Sequence, residues 1–155
     1  NSLRRFEVAF SHDKGHRITG ALPESLEILS TSGPWISDEN ISNLHRLTEL
    51  RLHDTYSISC ATVSLLTNLT RLHVVYGKLS TRRGDLTALP NLTDLKLLHT
   101  TINDESLKQM TNLRRLSIKD TNYVSDASLS LLTNLEVLLV DSVFVTRSKF
   151  RLSFF

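Results

Sequence analysis

The stretch Leu92–Asp104, "LTDLKLLHTTIND", sets leucines at its first, fourth and sixth places and a threonine at its ninth. Laid along the rest of the chain, it finds matching starts at Leu3, Pro23, Leu47, Leu69, Leu92, Leu113 and Leu135, spaced 20, 24, 22, 23, 21 and 22 residues apart. Apolar residues follow each start three and five places on: Phe6 and Val8, Leu26 and Ile28, Leu50 and Leu52, Leu72 and Val74, Leu95 and Leu97, Leu116 and Ile118, Leu138 and Val140. Of these 21 positions only Pro23 departs, where a composition that is 40% hydrophobic would supply roughly eight apolar residues. Self-similarity at a fixed period of this length is the signature of a repeat array.

The pattern also runs backward. Apolar residues stand three places before a start (Leu44, Leu66, Leu89, Met110, Leu132) and six places before it (Ile41, Val63, Leu86, Leu107, Leu129). Spacing of three suits a short helical or 3₁₀ segment, whereas the alternation after each start suits a strand with one buried face. Each unit therefore reads as a strand, a turn, a compact helical return and a second turn. Asp38, Asp104 and Asp126 stand where the returns begin, so their carboxylates are expected to cap free backbone N–H groups. Cys60 and Arg83 take that place in two units, whose returns are expected to be less regular.

These units resemble the leucine-rich repeat, L-x-x-L-x-L-x-x-N/C-x-L, from Leu3 to about Val145. The recurrent "LTNL" and "LPNL" with "TxIxD" are most similar to short-repeat members such as bacterial internalin-type and protist repeat proteins. The resemblance implies an α/β leucine-rich-repeat solenoid of about seven coils, with a parallel sheet on the concave face and short returns on the convex side. It also implies that the ninth position of each unit ties neighbouring coils together through an inward side chain. That position reads Ser11, Thr31, Thr55, Gly77, Thr100, Thr121 and Val143, so hydroxyls stand in for the family's asparagine while Gly77 and Val143 interrupt the ladder.

A chain of 155 residues suits one domain. We expect a degenerate first coil over 1–22, regular coils over 23–145 and a tail or torn edge over 146–155, "TRSKFRLSFF". Because the sequence opens on Asn1, a segment of a longer chain is expected. The net charge of +2 offers no general attraction to nucleic acid or anionic membrane. The apolar run "VLLVDSVFV" is too short for a membrane span and carries Asp141. Cys60 is the only cysteine, which excludes an internal disulfide and mildly favours an intracellular location.

Function in such a scaffold is read from the strand positions that point away from the core. The third-place column runs Arg5, Ser25, Glu49, Arg71, Asp94, Arg115, Val137, and its alternating signs allow an ion ladder or a recognition strip. The fifth runs Glu7, Glu27, Arg51, His73, Lys96, Ser117, Leu139, and the seventh adds His53 and Lys119. Arg51, His73, Lys96 and Lys119 make a cationic patch that Tyr76 and His99 border at the strand ends. The expected partner is a protein or peptide, with an acidic segment as the reasonable fit. The expected site is Glu49, Arg51, His53, Arg71, His73, Tyr76, Asp94, Lys96, His99, Arg115 and Lys119. No nucleophile and base converge, no glycine-rich loop cradles phosphate, and His53, His73 and His99 fall in different columns, so neither catalysis, cofactor nor metal is expected. The alternative is a regulatory or substrate-recognition segment of a larger enzyme, receptor or ubiquitin ligase. Sequons occur at Asn40, Asn68 and Asn91, the latter two in a turn that takes asparagine in other units as well.

Overall fold

The structure is a computed structural model and describes residues 2–8, 18–77, 79, 86, 89–100, 102–120 and 124–141. Seven strands, β1 (Arg5–Val8), β2 (Ile28–Ser32), β3 (Glu49–His53), β4 (Arg71–Val75), β5 (Asp94–Leu98), β6 (Arg115–Lys119) and β7 (Val137–Asp141), form one sheet. Every neighbouring pair is parallel, in strict sequence order. Parallel neighbours need a crossover, and the returns supply it. Among the described residues they carry four short helices: α1 (Asp38–Ile41), α2 (Cys60–Ser64), α3 (Asp104–Leu107) and α4 (Asp126–Leu129).

Register follows from burial. Leu50, Leu72, Leu95 and Leu116 are successive Cα partners, as are Leu52, Val74, Leu97 and Ile118, and none is more than 1% exposed. Burying a leucine side chain contributes about 1.5–3 kcal/mol, and a one-residue slip would turn the whole row to solvent. The spacing of three in the returns is equally direct. Leu44 N–H donates to the Ile41 carbonyl at 3.0 Å and Leu47 N–H to the Leu44 carbonyl at 3.0 Å. Leu66 and Leu69, Met110 and Leu113, and Leu132 and Leu135 repeat this 3₁₀-like step. The strand and return leucines share one core.

The second coil starts at Leu26, not Pro23. Leu29 pairs with Leu50, and Thr31 pairs with Leu52, which puts Thr31 inside the strand and not at the ninth position. Ile28 and Ser30, not Ser25 and Glu27, are therefore the open-face residues of β2, opposite Glu49 and Arg51. The frame from Leu26 also brings Gly33 (φ 90°) into a column with Asp54, Tyr76, His99 and Asp120, whose φ values are 52°, 54°, 53° and 55°. Each turn needs a left-handed residue there, and the N–H groups of Gly33, Asp54, Tyr76 and His99 extend the sheet by donating to the next coil at 2.8–3.1 Å.

The ties between coils differ from the expected ninth-position ladder. Thr31 and Thr100 are buried, yet among the described residues neither hydroxyl has a hydrogen-bond partner. Ser11, Thr121 and Val143 lie outside the described residues, and Thr55 is buried in its turn. Asparagines in the turn before each strand do the tying: the side-chain amides of Asn68, Asn91, Asn112 and Asn134 donate to the carbonyls of His45, Thr67, Pro90 and Thr111, one coil earlier, at 2.7, 3.0, 2.8 and 2.9 Å. Beside them, the Thr48, Thr70 and Thr93 hydroxyls donate to the carbonyls of Glu27, Thr48 and Thr70.

The helix caps fall one residue before the expected aspartates. Ser37, Ser59, Asn103 and Ser125 are the extended N-cap residues, which leaves Asp38, Asp104 and Asp126 inside the first turn. Asp38 and Asp104 instead accept from the cap of the next coil, Ser59 N–H and Ser125 N–H, both at 2.8 Å. Cys60 does not loosen its return. It opens α2, and Ser59 caps that helix by accepting from Thr62 N–H at 3.2 Å. Gly77 does not disturb its turn either, because Tyr76 keeps the common left-handed φ. The Arg83 return and the segment 146–155 lie outside the described residues. No helix among the described residues is long and apolar enough to cross a membrane.

Candidate interaction face

Alternation along each strand leaves every second side chain on the open face of the sheet. The structure places Glu49, Arg51, His53, Arg71, His73, Asp94, Lys96, Arg115 and Lys119 together on that face of β3–β6, in register from strand to strand. Five of them are Lys or Arg, against two carboxylates, so the middle of the face is cationic.

Glu49 organises one half. It is buried at 4% exposure, with Arg71 Nη1 donating to its Oε2 at 3.0 Å. Arg51 Nη2 also pairs with Glu49 Oε1 at 2.5 Å. Burial raises the carboxyl's pKa, but the Arg71 hydrogen bond and the two guanidinium charges outweigh it and hold Glu49 below the usual carboxylate value. One carboxylate serves two arginines, which leaves a cationic surplus at Arg51 and Arg71.

The expected ion ladder forms only in part. Asp94 lies 3.4 Å from His73 Nε2, in its own neighbour's fifth-place column, and pairs with neither Arg71 nor Arg115. Among the described residues Lys96 and Arg115 make no ion pair. His73 stands diagonal to Asp94, a placement still within reach of a long side chain.

At the strand ends a tyrosine separates two of the histidines. His53 and His99 bracket Tyr76: the Tyr76 and His99 rings stack at 4.2 Å and 7°, and the His53 ring meets Tyr76 edge-on at 5.9 Å and 74°. Asp54 Oδ2 lies 2.8 Å from His53 Nδ1, and Asp120 Oδ2 lies 2.9 Å from His99 Nδ1. Asp54 and Asp120 were not among the residues expected from sequence. Their repeat position was the available signal, because it is the one Tyr76 and His99 occupy in the coils between them. Among the described residues no three His, Cys, Asp or Glu side chains group as metal ligands.

Asn40, the first sequon, is 2% exposed. Its amide nitrogen donates to the Gly20 and Ile18 carbonyls at 2.6 and 3.1 Å, and its oxygen accepts from Ser37 N–H at 2.7 Å. A glycan there is incompatible with the fold. The Asn68 and Asn91 amides serve the inter-coil ties.

No protein-family model matches the sequence, and no curated protein matches it. Solved structures do share its fold. An internalin, InlF, from Listeria monocytogenes superposes with a TM-score of 0.65 at 20% identity, over 79% of this chain and 37% of that one. Internalin C2 from the same organism gives 0.64 at 24% identity, over 76% and 52%. The leucine-rich-repeat ectodomain of the Arabidopsis receptor kinase HAESA, solved with an N-terminally extended IDA peptide hormone, gives 0.57 at 20% identity over 90% and 26%. The chain thus spans about a third to a half of the two internalins. Seven parallel strands in sequence order, short returns between them among the described residues, and this shared architecture give the chain the fold of a leucine-rich-repeat solenoid.

Proposed function

We propose that the chain is a non-catalytic scaffold that takes a protein or peptide partner across the open face of its sheet. The observation that carries this reading is the in-register wall of β3–β6, where Lys96 and Arg115 make no ion pair among the described residues and Glu49 is shared by two arginines. Cations held on a rigid sheet and left without local carboxylates favour an acidic segment, since the ordering cost on the scaffold side is already met by the fold. The HAESA ectodomain, which shares the fold, was solved with a peptide hormone. That supports a peptide as the occupant of a scaffold with this fold.

The test is selection from a random peptide display library on the full chain, followed by the same titration on the double variant R51E/K96E. Enrichment of Asp and Glu in the selected peptides is expected, with affinity falling at least tenfold in the double variant while circular dichroism is unchanged. Undiminished affinity in R51E/K96E would place the binding surface elsewhere.

A further inference from the structure

The open face changes character at its C-terminal edge. In the third-place column Arg115 is the Cα partner of Val137, and in the fifth Lys96, Ser117 and Leu139 follow one another on β5, β6 and β7. Val137 and Leu139 lie two residues apart on one strand, so their side chains share the open side of the sheet. They are 39% and 57% exposed, and among the described residues no other large hydrophobic within a strand is exposed. Elsewhere this face turns charge to solvent: Arg51, Arg71 and Arg115 are exposed, whereas the apolar Val75 and Leu98 are half-buried.

Stacking of coils does not account for the pair. The residues of β7 that pack against the core are Leu138 and Val140, on the other side of the sheet, and these are the ones a further coil would cover. Val137 and Leu139 face the wall in either case. Neighbouring exposed apolar side chains rimmed by polar ones mark interaction sites. Here the rim is cationic: Arg115 stands beside Val137 and Lys96 two strands from Leu139, and among the described residues neither cation makes an ion pair. Ser117 sets only a short hydroxyl side chain on the path from Lys96 to Leu139.

We propose that Val137 and Leu139 form an apolar subsite at the C-terminal end of the docking wall, for a bulky aliphatic or aromatic side chain of a peptide whose carboxylate meets Lys96 or Arg115. The inference deepens the scaffold reading and rests on it. Charge complementarity selects this occupant, because the adjoining cations favour a segment with an acidic residue close to its apolar one. A second copy of the chain fits less well: a two-fold contact through this patch brings like charges together at Arg115. Lys96 and Leu139 are two strand spacings apart, about 9.6 Å, which an extended chain covers in about three residues. The favoured partner sequence therefore sets Asp or Glu about three positions from Leu, Ile, Phe or Trp, with its apolar end over β7.

The experiment is an NMR titration of the full chain at low salt with three blocked hexapeptides, Gly-Glu-Gly-Gly-Phe-Gly, Gly-Glu-Gly-Gly-Ala-Gly and Gly-Gln-Gly-Gly-Phe-Gly. The first is expected to move the Lys96 and Arg115 signals together with the Val137 and Leu139 methyls. It should bind about fivefold more tightly than the alanine peptide, and more tightly than the glutamine peptide as well. Leu139→Thr keeps a residue suited to strands at an exposed position, so the unfolding midpoint should hold while the phenylalanine and alanine peptides come to bind alike. Leu139→Met should retain the preference. Equal binding of those two peptides by the unsubstituted chain, or an undiminished preference in Leu139→Thr, would overturn the subsite and leave the wall standing. Unmoved Arg51, Lys96 and Arg115 signals with both glutamate peptides would overturn the wall, and the subsite with it. A concentration-dependent dimer in sedimentation that Leu139→Thr abolishes would assign the patch to a second copy and overturn the peptide assignment.

Discussion

Gly77 stands in the repeat position that Thr55 and Thr100 hold in neighbouring coils, and a Cβ there would lie 2.7 Å from Val74 Cγ1 and 3.2 Å from the Thr55 carbonyl oxygen. Valine is stiff at χ1 and the carbonyl belongs to the preceding turn, so neither yields easily. Gly77→Ala should therefore cost about 1–3 kcal/mol through overpacking, read from urea midpoints, with the fold retained. Glu49 and Asp104 make a second prediction at this scale. Burial raises the Asp104 pKa, but hydrogen bonds from the Ser128 and Ser125 side chains and the Ser125 backbone, with the Lys108 charge, outweigh it and lower the value. For both carboxyls the folded value lies below the unfolded one, so the unfolded chain binds more protons in that window. Their stabilisation is complete above about pH 4–5 and is lost as pH falls through the folded values. Denaturant midpoints measured down to pH 3 should decline, and Asp104→Asn should flatten that decline while lowering stability at pH 7.

At the scale of the element, strands and returns were legible in the sequence because each is defined by a burial period. The i, i+3 stripe is the path of the return's own hydrogen bonds, and the x-L-x-L-x run is the pleat. The second coil was harder. "PESLEILST" offers two apolar residues of three whether the frame starts at Pro23 or Leu26, so apolar spacing alone does not choose. Turn chemistry does choose, since only the frame from Leu26 sets Gly33 where the other coils turn left-handed. The caps were misplaced by one residue for a similar reason: Ser37, Ser59, Asn103 and Ser125 are as good N-caps as the aspartates beside them, and the carboxylates were drawn to the next coil. The asparagine ties were present in the sequence as "LTNL", but a local motif does not announce that its hydrogen bond crosses to another coil. Asn112→Ala, which removes one such tie, should cost about 1 kcal/mol in chemical denaturation.

For the whole molecule, the position of charges on the open face followed from the period, whereas their pairing did not. Which of two neighbouring cations an aspartate meets depends on side-chain reach, which no spacing records. The contact of His53 with Tyr76 likewise joins two different columns, so it emerges only once the strands are stacked. Because each coil contacts only its neighbours, damage to one interior position is felt locally and then through the loss of a shared interface. Leu95 is fully buried at mid-sheet, and Leu95→Ala should cost about 2–5 kcal/mol by thermal or chemical unfolding. The central claim is that consecutive coils stack in parallel so that their leucines share one interior and their outward residues one wall. Methyl NOE spectroscopy of the full chain tests it most directly. Cross-peaks should link Leu29 to Leu50, Leu50 to Leu72, Leu72 to Leu95 and Leu95 to Leu116 in an unbroken series. A series broken between these pairs, or backbone NOEs of antiparallel form between neighbouring strands, would contradict the architecture and the docking wall built on it.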